Sequence, residues 1–285
     1  MESTLHTSDR TPSKVRHRQL QLVHENAGAQ IAPALREVIE YRKSGLSLNH
    51  IVGCPLDCGY CVRHLFGNFD MRKPHTLMTD EQAVNELVRH RYLVPDRTPL
   101  QLFNRATDPL LPDVKPHTFR VLELLDGRGL RNHILVISRY HITADDCRRL
   151  NALSSLRVTL LFTHSGIADP RIEPVKSRIA ARSMMRAYKH AERYRVLQYW
   201  RPIVPGLNDT TKDIRTAADL SQHAHATVFT GLFYRDEIRA YYQAQGLPEP
   251  YGDVARRKIL PEDTEARILT EFAAHGGRDI FRKTS

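Results

Sequence analysis

Long hydrophobic runs are missing from this chain. No stretch of eighteen apolar residues occurs among its 285, which excludes a membrane-spanning helix. The N-terminal segment MESTLHTSDRTPSKVRHRQ lacks the apolar core of a secretory signal, so the expected location is cytoplasmic. Cysteine is scarce too: four residues are too few for a disulfide scaffold. Repeats and low-complexity blocks are absent. What is present is 41% hydrophobic content, enough for one large domain or two small ones. Lys and Arg outnumber Asp and Glu, 42 to 32, for a net charge of +10. That excess favours polyanionic partners without identifying one.

Residues 1–45 read as an N-terminal extension, polar and disordered at first, then a short capping helix around 31–42. From residue 46 strands and helices alternate. Strands are expected at 47–53, 99–104, 133–138, 156–163, 195–204 and 226–233. Helices are expected at 79–91, 116–129, 143–153, 177–194 and 210–224, the first capped by Thr79 or Asp80. Six strands alternating with helices predict an α/β protein with a parallel sheet, either a partial (β/α)6 barrel or a doubly wound sheet. Either places its ligand at the C-terminal strand ends. The core spans 46–233, and 234–285 reads as a helical extension that closes the barrel at its bottom or side.

The scarce cysteines are not spread evenly. Cys54, Cys58 and Cys61 fall within eight residues, GCPLDCGYC, at the end of the first strand. Gly53 and Gly59 permit a tight wrap, and Pro55 stiffens it. With His64 these thiols could form a Cys3His zinc knot, or they could be incidental buried thiols. The third reading is a [4Fe–4S] cluster. An electron-transfer cubane takes four thiolates, so three leave one iron open, as catalytic metal sites do. Cys147 sits on an expected helix, on the wrong layer to be a fourth ligand, and reads as a small buried hydrophobe.

Cys-x-x-x-Cys-x-aromatic-Cys after the first of six strands, with Tyr60 as the aromatic, resembles the radical S-adenosylmethionine enzymes. The resemblance implies a partial (β/α)6 barrel and a cluster on the three cysteines. It also implies S-adenosylmethionine bound through its amino and carboxylate groups and cleaved to a 5′-deoxyadenosyl radical that takes hydrogen from a substrate. A flavodoxin- or ferredoxin-type electron donor follows from the same resemblance.

The Gly-Gly-Glu stretch of many members is lacking after the second strand. Instead Asn104, Thr107 and Asp108 resemble the Asn-x-x-Thr-Asp-Pro stretch of proteins similar to spore photoproduct lyase. That resemblance implies cofactor contacts for Tyr60, Asn104, Thr107, Asp108 and Thr163. It implies Arg139 in place of a lysine facing the cofactor carboxylate, and Ile203 and Val204 in RPIVPGLND against the adenine. Taken alone, TDP and PGLND also read as ordinary turns.

A cysteine hydrogen donor is missing as well, because no cysteine occurs from 62 to 146. Tyr140 and Tyr199, near strand ends, are the candidate replacements. Arg178, Arg182, Arg186 and Lys189 recur at helical spacing and form a basic stripe, suited to phosphate contacts or to a solvated face. Three functions stay open at this point. The first is radical chemistry on a small molecule or nucleoside, its reaction class undecided. The second is the same chemistry on DNA or RNA. The third is a non-catalytic zinc-knot module that binds nucleic acid.

Overall fold

The computed structural model describes residues 20–21 and 33–283. The expectation of a disordered start lies mostly outside these residues. Eight strands form one sheet in the order β1 (Ile39–Arg42), β2 (Gly45–Leu48), β5 (Leu100–Leu102), β6 (His133–Ser138), β7 (Arg157–His164), β8 (Arg195–Ile203), β9 (Ala226–Gly231) and β10 (Ile280–Arg282). From β2 to β10 all neighbours are parallel; only β1 and β2 pair antiparallel. The sheet does not close on itself. This is an α/β partial barrel whose middle six strands follow chain order.

The helices form where local signals are strong. Thr79, Thr143 and Thr210 each make a reciprocal capping box, with Gln82, Asp146 and Asp213 respectively. They start α2 (Asp80–Arg89), α4 (Ala144–Ala152) and α6 (Thr211–Ser221). With α3 (Lys115–Asp126) and α5 (Ser177–Lys189) they alternate with the central strands. Alternate strand residues, among them Leu46, Leu100, Ile134, Val136, Val158, Leu160 and Val196, share one buried core with Leu87, Phe119, Leu122, Leu150 and Met184 of the helices. The other strand face is the barrel interior. It carries Ser47, Gln101, Thr163, Tyr199 and Arg201 and is far more polar.

Three expectations need correction. The helix around 31–42 shrinks to α1 (Pro33–Arg36), and Ile39–Arg42 forms a strand. Gly45, at φ +116°, lets the hairpin turn back; a Cβ there would meet the Pro99 carbonyl oxygen at 2.0 Å. The strand at 47–53 is two pieces. Asn49 still donates its backbone N–H to the Val38 carbonyl at 2.7 Å, continuing the β1 register; beyond it the chain leaves the sheet, and β3 (Ile51–Val52) pairs with β4 (His75–Thr76). The tail is not only helical. Beyond α7 (Asp236–Ala244) and α8 (Glu262–Ala274), β10 extends the sheet beside β9.

Candidate functional site

β3 delivers the chain into the cysteine loop at the C-terminal end of the barrel. Backbone bonds hold that loop at both ends: Gly53 N–H to Ala106 O at 3.2 Å, Cys54 N–H to Met71 O at 2.8 Å, Gly59 N–H to Ile172 O at 2.9 Å. At Gly53, φ +95°, a Cβ would lie 2.1 Å from the Lys73 carbonyl oxygen. Gly59 lies under α7, where a Cβ would come within 2.9 Å of the Tyr241 ring.

The interior of the loop is organised by Arg63, a residue the sequence reading passed over. Its side chain is buried and donates to five carbonyls. Nη1 reaches Cys54 O at 3.1 Å and Leu56 O at 3.3 Å; Nη2 reaches Asn68 O at 2.8 Å, Phe69 O at 2.6 Å and Met71 O at 3.0 Å. A loop this tight has carbonyls turned inward with no strand to pair with, and a planar guanidinium answers several at once. An arginine two residues past the last cysteine was the available signal.

Cys54 and Cys58 are buried and Cys61 is half-buried. Among the described residues no three His, Cys, Asp or Glu side chains converge closely enough to hold one metal ion. His64 stacks on Phe69 with ring centroids 3.6 Å apart, and its Nε2 is buried without a hydrogen-bond partner. Burial pulls its pKa down to about 4, so the ring is neutral at neutral pH.

A cleft opens beside the loop. It is lined by the three cysteines, Tyr60, Asn104, Thr107, Asp108, Arg139, Thr163 and Arg201, with Leu56, Phe103 and Ile137 as apolar walls. Six expected cofactor contacts thus meet here. Two hydroxyls in this wall, Thr107 Oγ1 and Thr163 Oγ1, are buried without a hydrogen-bond partner. Such groups are costly unless a ligand or water completes them.

The Asp108 carboxylate is already occupied. Ser138 Oγ donates to it at 2.6 Å, Leu110 N–H at 2.9 Å and Arg139 N–H at 3.0 Å. Burial pushes its pKa up against these donors. Asp108 therefore ties the β5 and β6 ends together and fixes the backbone of Arg139. Through Nη1, Arg139 donates to Tyr60 Oη, to Cys58 Sγ at 3.1 Å, and to Glu173 Oε2 at 3.3 Å. Tyr60 also donates to Glu173, a buried carboxylate on the loop before α5. Burial and Glu173 keep the Tyr60 phenol protonated. Glu173 lies in the loop between β7 and α5, and nothing local in the sequence marks it as facing Arg139, 34 residues back in the chain.

Other expected site residues lie elsewhere. Ile203 is buried against α6 and α8. Val204 packs in the core with Cys58 and Tyr60, below α7. Neither side chain lines the cleft. Asn208, fully buried, accepts from Val204 N–H at 2.8 Å and donates to the Ser165 and Pro202 carbonyls, so PGLND clamps the β7 and β8 ends. Tyr140 packs against the core between sheet and helices. Tyr199 is buried on the inward face of β8, and Arg201 donates to its hydroxyl at 3.4 Å. Cys147 lies on the buried face of α4 and is fully buried. Arg178, Arg182, Arg186 and Lys189 are exposed on the outer face of α5.

No family model matches the chain, and no curated protein matches it. Solved structures do. Spore photoproduct lyase complexed with dinucleoside spore photoproduct superposes with a TM-score of 0.61 at 10% identity, over 89% of this chain and 81% of that one. A variant of that lyase with bound AdoMet and dinucleoside spore photoproduct gives 0.61 at 9% identity, over 88% and 80%. SuiB of Streptococcus suis bound to S-adenosylmethionine gives 0.54 at 8% identity, over 83% of this chain and 49% of that chain. The partial barrel is thus a fold shared with spore photoproduct lyase and SuiB, and the resemblance read from the motifs recurs in the architecture.

Proposed function

We propose that this chain is a radical S-adenosylmethionine enzyme acting on a small molecule or nucleoside. The observation that carries the reading is the placement of three thiols on one carbonyl-clamped loop, beside a cleft whose buried Thr107 and Thr163 hydroxyls lack partners. These residues fit the cofactors. Cys54, Cys58 and Cys61 would hold a [4Fe–4S] cluster with one iron left to the nucleotide cofactor. When bound, cluster and S-adenosylmethionine supply a 5′-deoxyadenosyl radical that takes a hydrogen atom from the substrate.

The chain's own residues prepare that chemistry. Arg63 fixes the loop so that the thiols keep their spacing. Arg139, held from behind by Asp108 and from the side by Tyr60 and Glu173, offers its guanidinium to a carboxylate. Asn104, Thr107 and Thr163 offer polar contacts. Leu56, Phe103 and Ile137 exclude water from the reacting centre. Asp108 acts as a positioning residue. Tyr199 faces the interior and is the better placed of the two tyrosine hydrogen donors. The barrel over 46–233 carries the site, and an electron donor of flavodoxin or ferredoxin type serves it.

Anaerobic incubation of reconstituted protein with S-adenosylmethionine and dithionite tests the reading. Formation of 5′-deoxyadenosine and its loss in Cys58→Ala are expected; a wild-type protein with a full complement of iron and no cleavage would contradict it. A nucleic-acid substrate is the second reading, favoured by the exposed cations of α5. It requires DNA or RNA affinity that falls steeply with salt and weakens when Arg178 and Arg182 are neutralised.

A further inference from the structure

Arg201, which lines the cleft, belongs to a second charged wall behind it. The centre of that wall is Tyr199 on the inward face of β8. The guanidinium carbon of Arg201 lies 5.0 Å from the Tyr199 ring centroid, and Lys283 Nζ, just past β10, lies 5.9 Å from it. Lys258, between α7 and α8, belongs to the same group. Burial first, then the charges of Arg201, Lys283 and Arg42, draws its pKa down to about 7. Burial pushes the Tyr199 phenol up, but Arg201 and Lys283 outweigh it and hold it below its usual range.

Lys258 therefore feels the charges of three other cations, Arg201, Lys283 and Arg42. Arg42 lies on β1 and Lys283 follows β10, the two edges of the open sheet, so the group borders the opening of the barrel. Arg42 has Glu40 at 3.7 Å. Among the described residues, Arg201 and Lys283 turn to the Tyr199 ring and not to a carboxylate. Like charges gathered in a half-buried wall repel. The arrangement becomes favourable when an anion sits among them. A carboxylate would need one guanidinium fork; this many donors match a dianion with three acceptor oxygens.

We propose that this wall is a phosphate seat and that the substrate carries a phosphate group resting on Arg201 and Lys283, with Lys258 and Arg42 completing the positive field. The proposal rests on the radical reading for what happens to the substrate, and on the wall alone for its charge. A nucleotide and a phosphorylated small molecule share this chemistry.

Calorimetric titration of the full chain with inorganic phosphate, ribose 5-phosphate and uridine 5′-monophosphate, with uridine as the phosphate-free control, tests it at fixed ionic strength. Saturable binding of the phosphate probes and none of uridine is expected. A tighter grip on uridine monophosphate than on ribose 5-phosphate assigns a nucleotide; equal affinity assigns a phosphorylated small molecule. Arg201→Gln and Lys283→Gln should each weaken binding by about tenfold or more, while Arg148→Gln, at an exposed arginine of α4 paired with Asp145, should not. No saturable binding, or binding undiminished in both glutamine variants, would overturn the seat. If a glutamine variant does not fold, protection of Lys283 from an amine-modifying reagent by phosphate in the wild-type chain replaces it. Protection supports the seat and its absence overturns it. None of these measurements needs cluster or S-adenosylmethionine. Phosphate binding without cofactor cleavage would therefore sink the radical reading alone, and cleavage without phosphate binding would sink the seat alone.

Discussion

Replacing Arg63 by methionine should empty the cysteine loop of iron while leaving the barrel folded. Methionine is close in length and apolar, so it fills the space and removes every donor. Of the five carbonyls that Arg63 serves, those of Cys54 and Asn68 are bonded in fully buried surroundings; those of Leu56, Phe69 and Met71 are part-buried and can turn to water. A hydrogen bond to a charged donor contributes about 1.5–3 kcal/mol, so the two buried bonds alone give roughly 3–6 kcal/mol. That loss is local. It is comparable to the stability of a whole domain, on the order of 5–15 kcal/mol, yet falls on a loop whose opening does not unfold the sheet. About 4 kcal/mol is roughly a thousandfold in the ordered fraction. The assay is iron per chain after anaerobic reconstitution, together with amide hydrogen exchange over residues 54–71. The expected result is little iron, fast exchange in the loop, and unchanged exchange in β6 to β8. Arg63→Lys, with one charge and fewer donors, should fall between. A methionine variant that holds iron like the wild type, with equally protected loop amides, would refute the clamp.

Three further outcomes follow from the same geometry. Thr163→Val removes a buried hydroxyl that has no partner. It should leave the cofactor-free protein as stable or stabilise it by up to about 1 kcal/mol, while weakening S-adenosylmethionine binding; equal cofactor affinity would remove Thr163 from the site. Gly59→Ala drives a Cβ to 2.9 Å from the Tyr241 ring and 3.2 Å from the Arg171 carbonyl oxygen. It should lower thermal stability by about 1–3 kcal/mol, and the added change Tyr241→Ala should relieve part of that loss; no relief would place the strain elsewhere. Burial pushes the Asp80 carboxyl up, but hydrogen bonds from His117 and His50 outweigh it and hold its pKa at about 2. A depressed carboxyl stabilises the fold above its unfolded value near 4, and that contribution is lost as pH falls from about 4 through 2. Urea midpoints measured across that range should drop faster for the wild type than for Asp80→Asn, and parallel slopes would contradict the assignment.

Much of the barrel was legible because its signals are local. The Thr-x-x-Gln and Thr-x-x-Asp capping boxes start α2, α4 and α6 where they were expected, and HILVIS and LRVTLLFT are strands because β-branched and apolar residues fill them. The edges were not legible. β1 is four residues long and pairs only across a glycine turn, and β10 is three residues that join β9 more than fifty residues away in the chain. At the site, the cysteines announced themselves through spacing, and the TDP stretch through its turn. The partners of those residues did not. Arg63 looks like any surface arginine until the carbonyls of residues 54 to 71 are folded around it. Glu173 looks like a loop acid until it meets Arg139 and Tyr60. Arg201 and Lys283 acquire meaning only when β8 and β10 are placed on either side of β9.

Electron paramagnetic resonance of the anaerobically reconstituted, dithionite-reduced protein, with and without S-adenosylmethionine, tests the central claim most directly. A [4Fe–4S]⁺ signal that depends on Cys54, Cys58 and Cys61 and changes shape when S-adenosylmethionine is added is expected. A cluster signal indifferent to S-adenosylmethionine, or about one zinc per chain and no cluster, would contradict it.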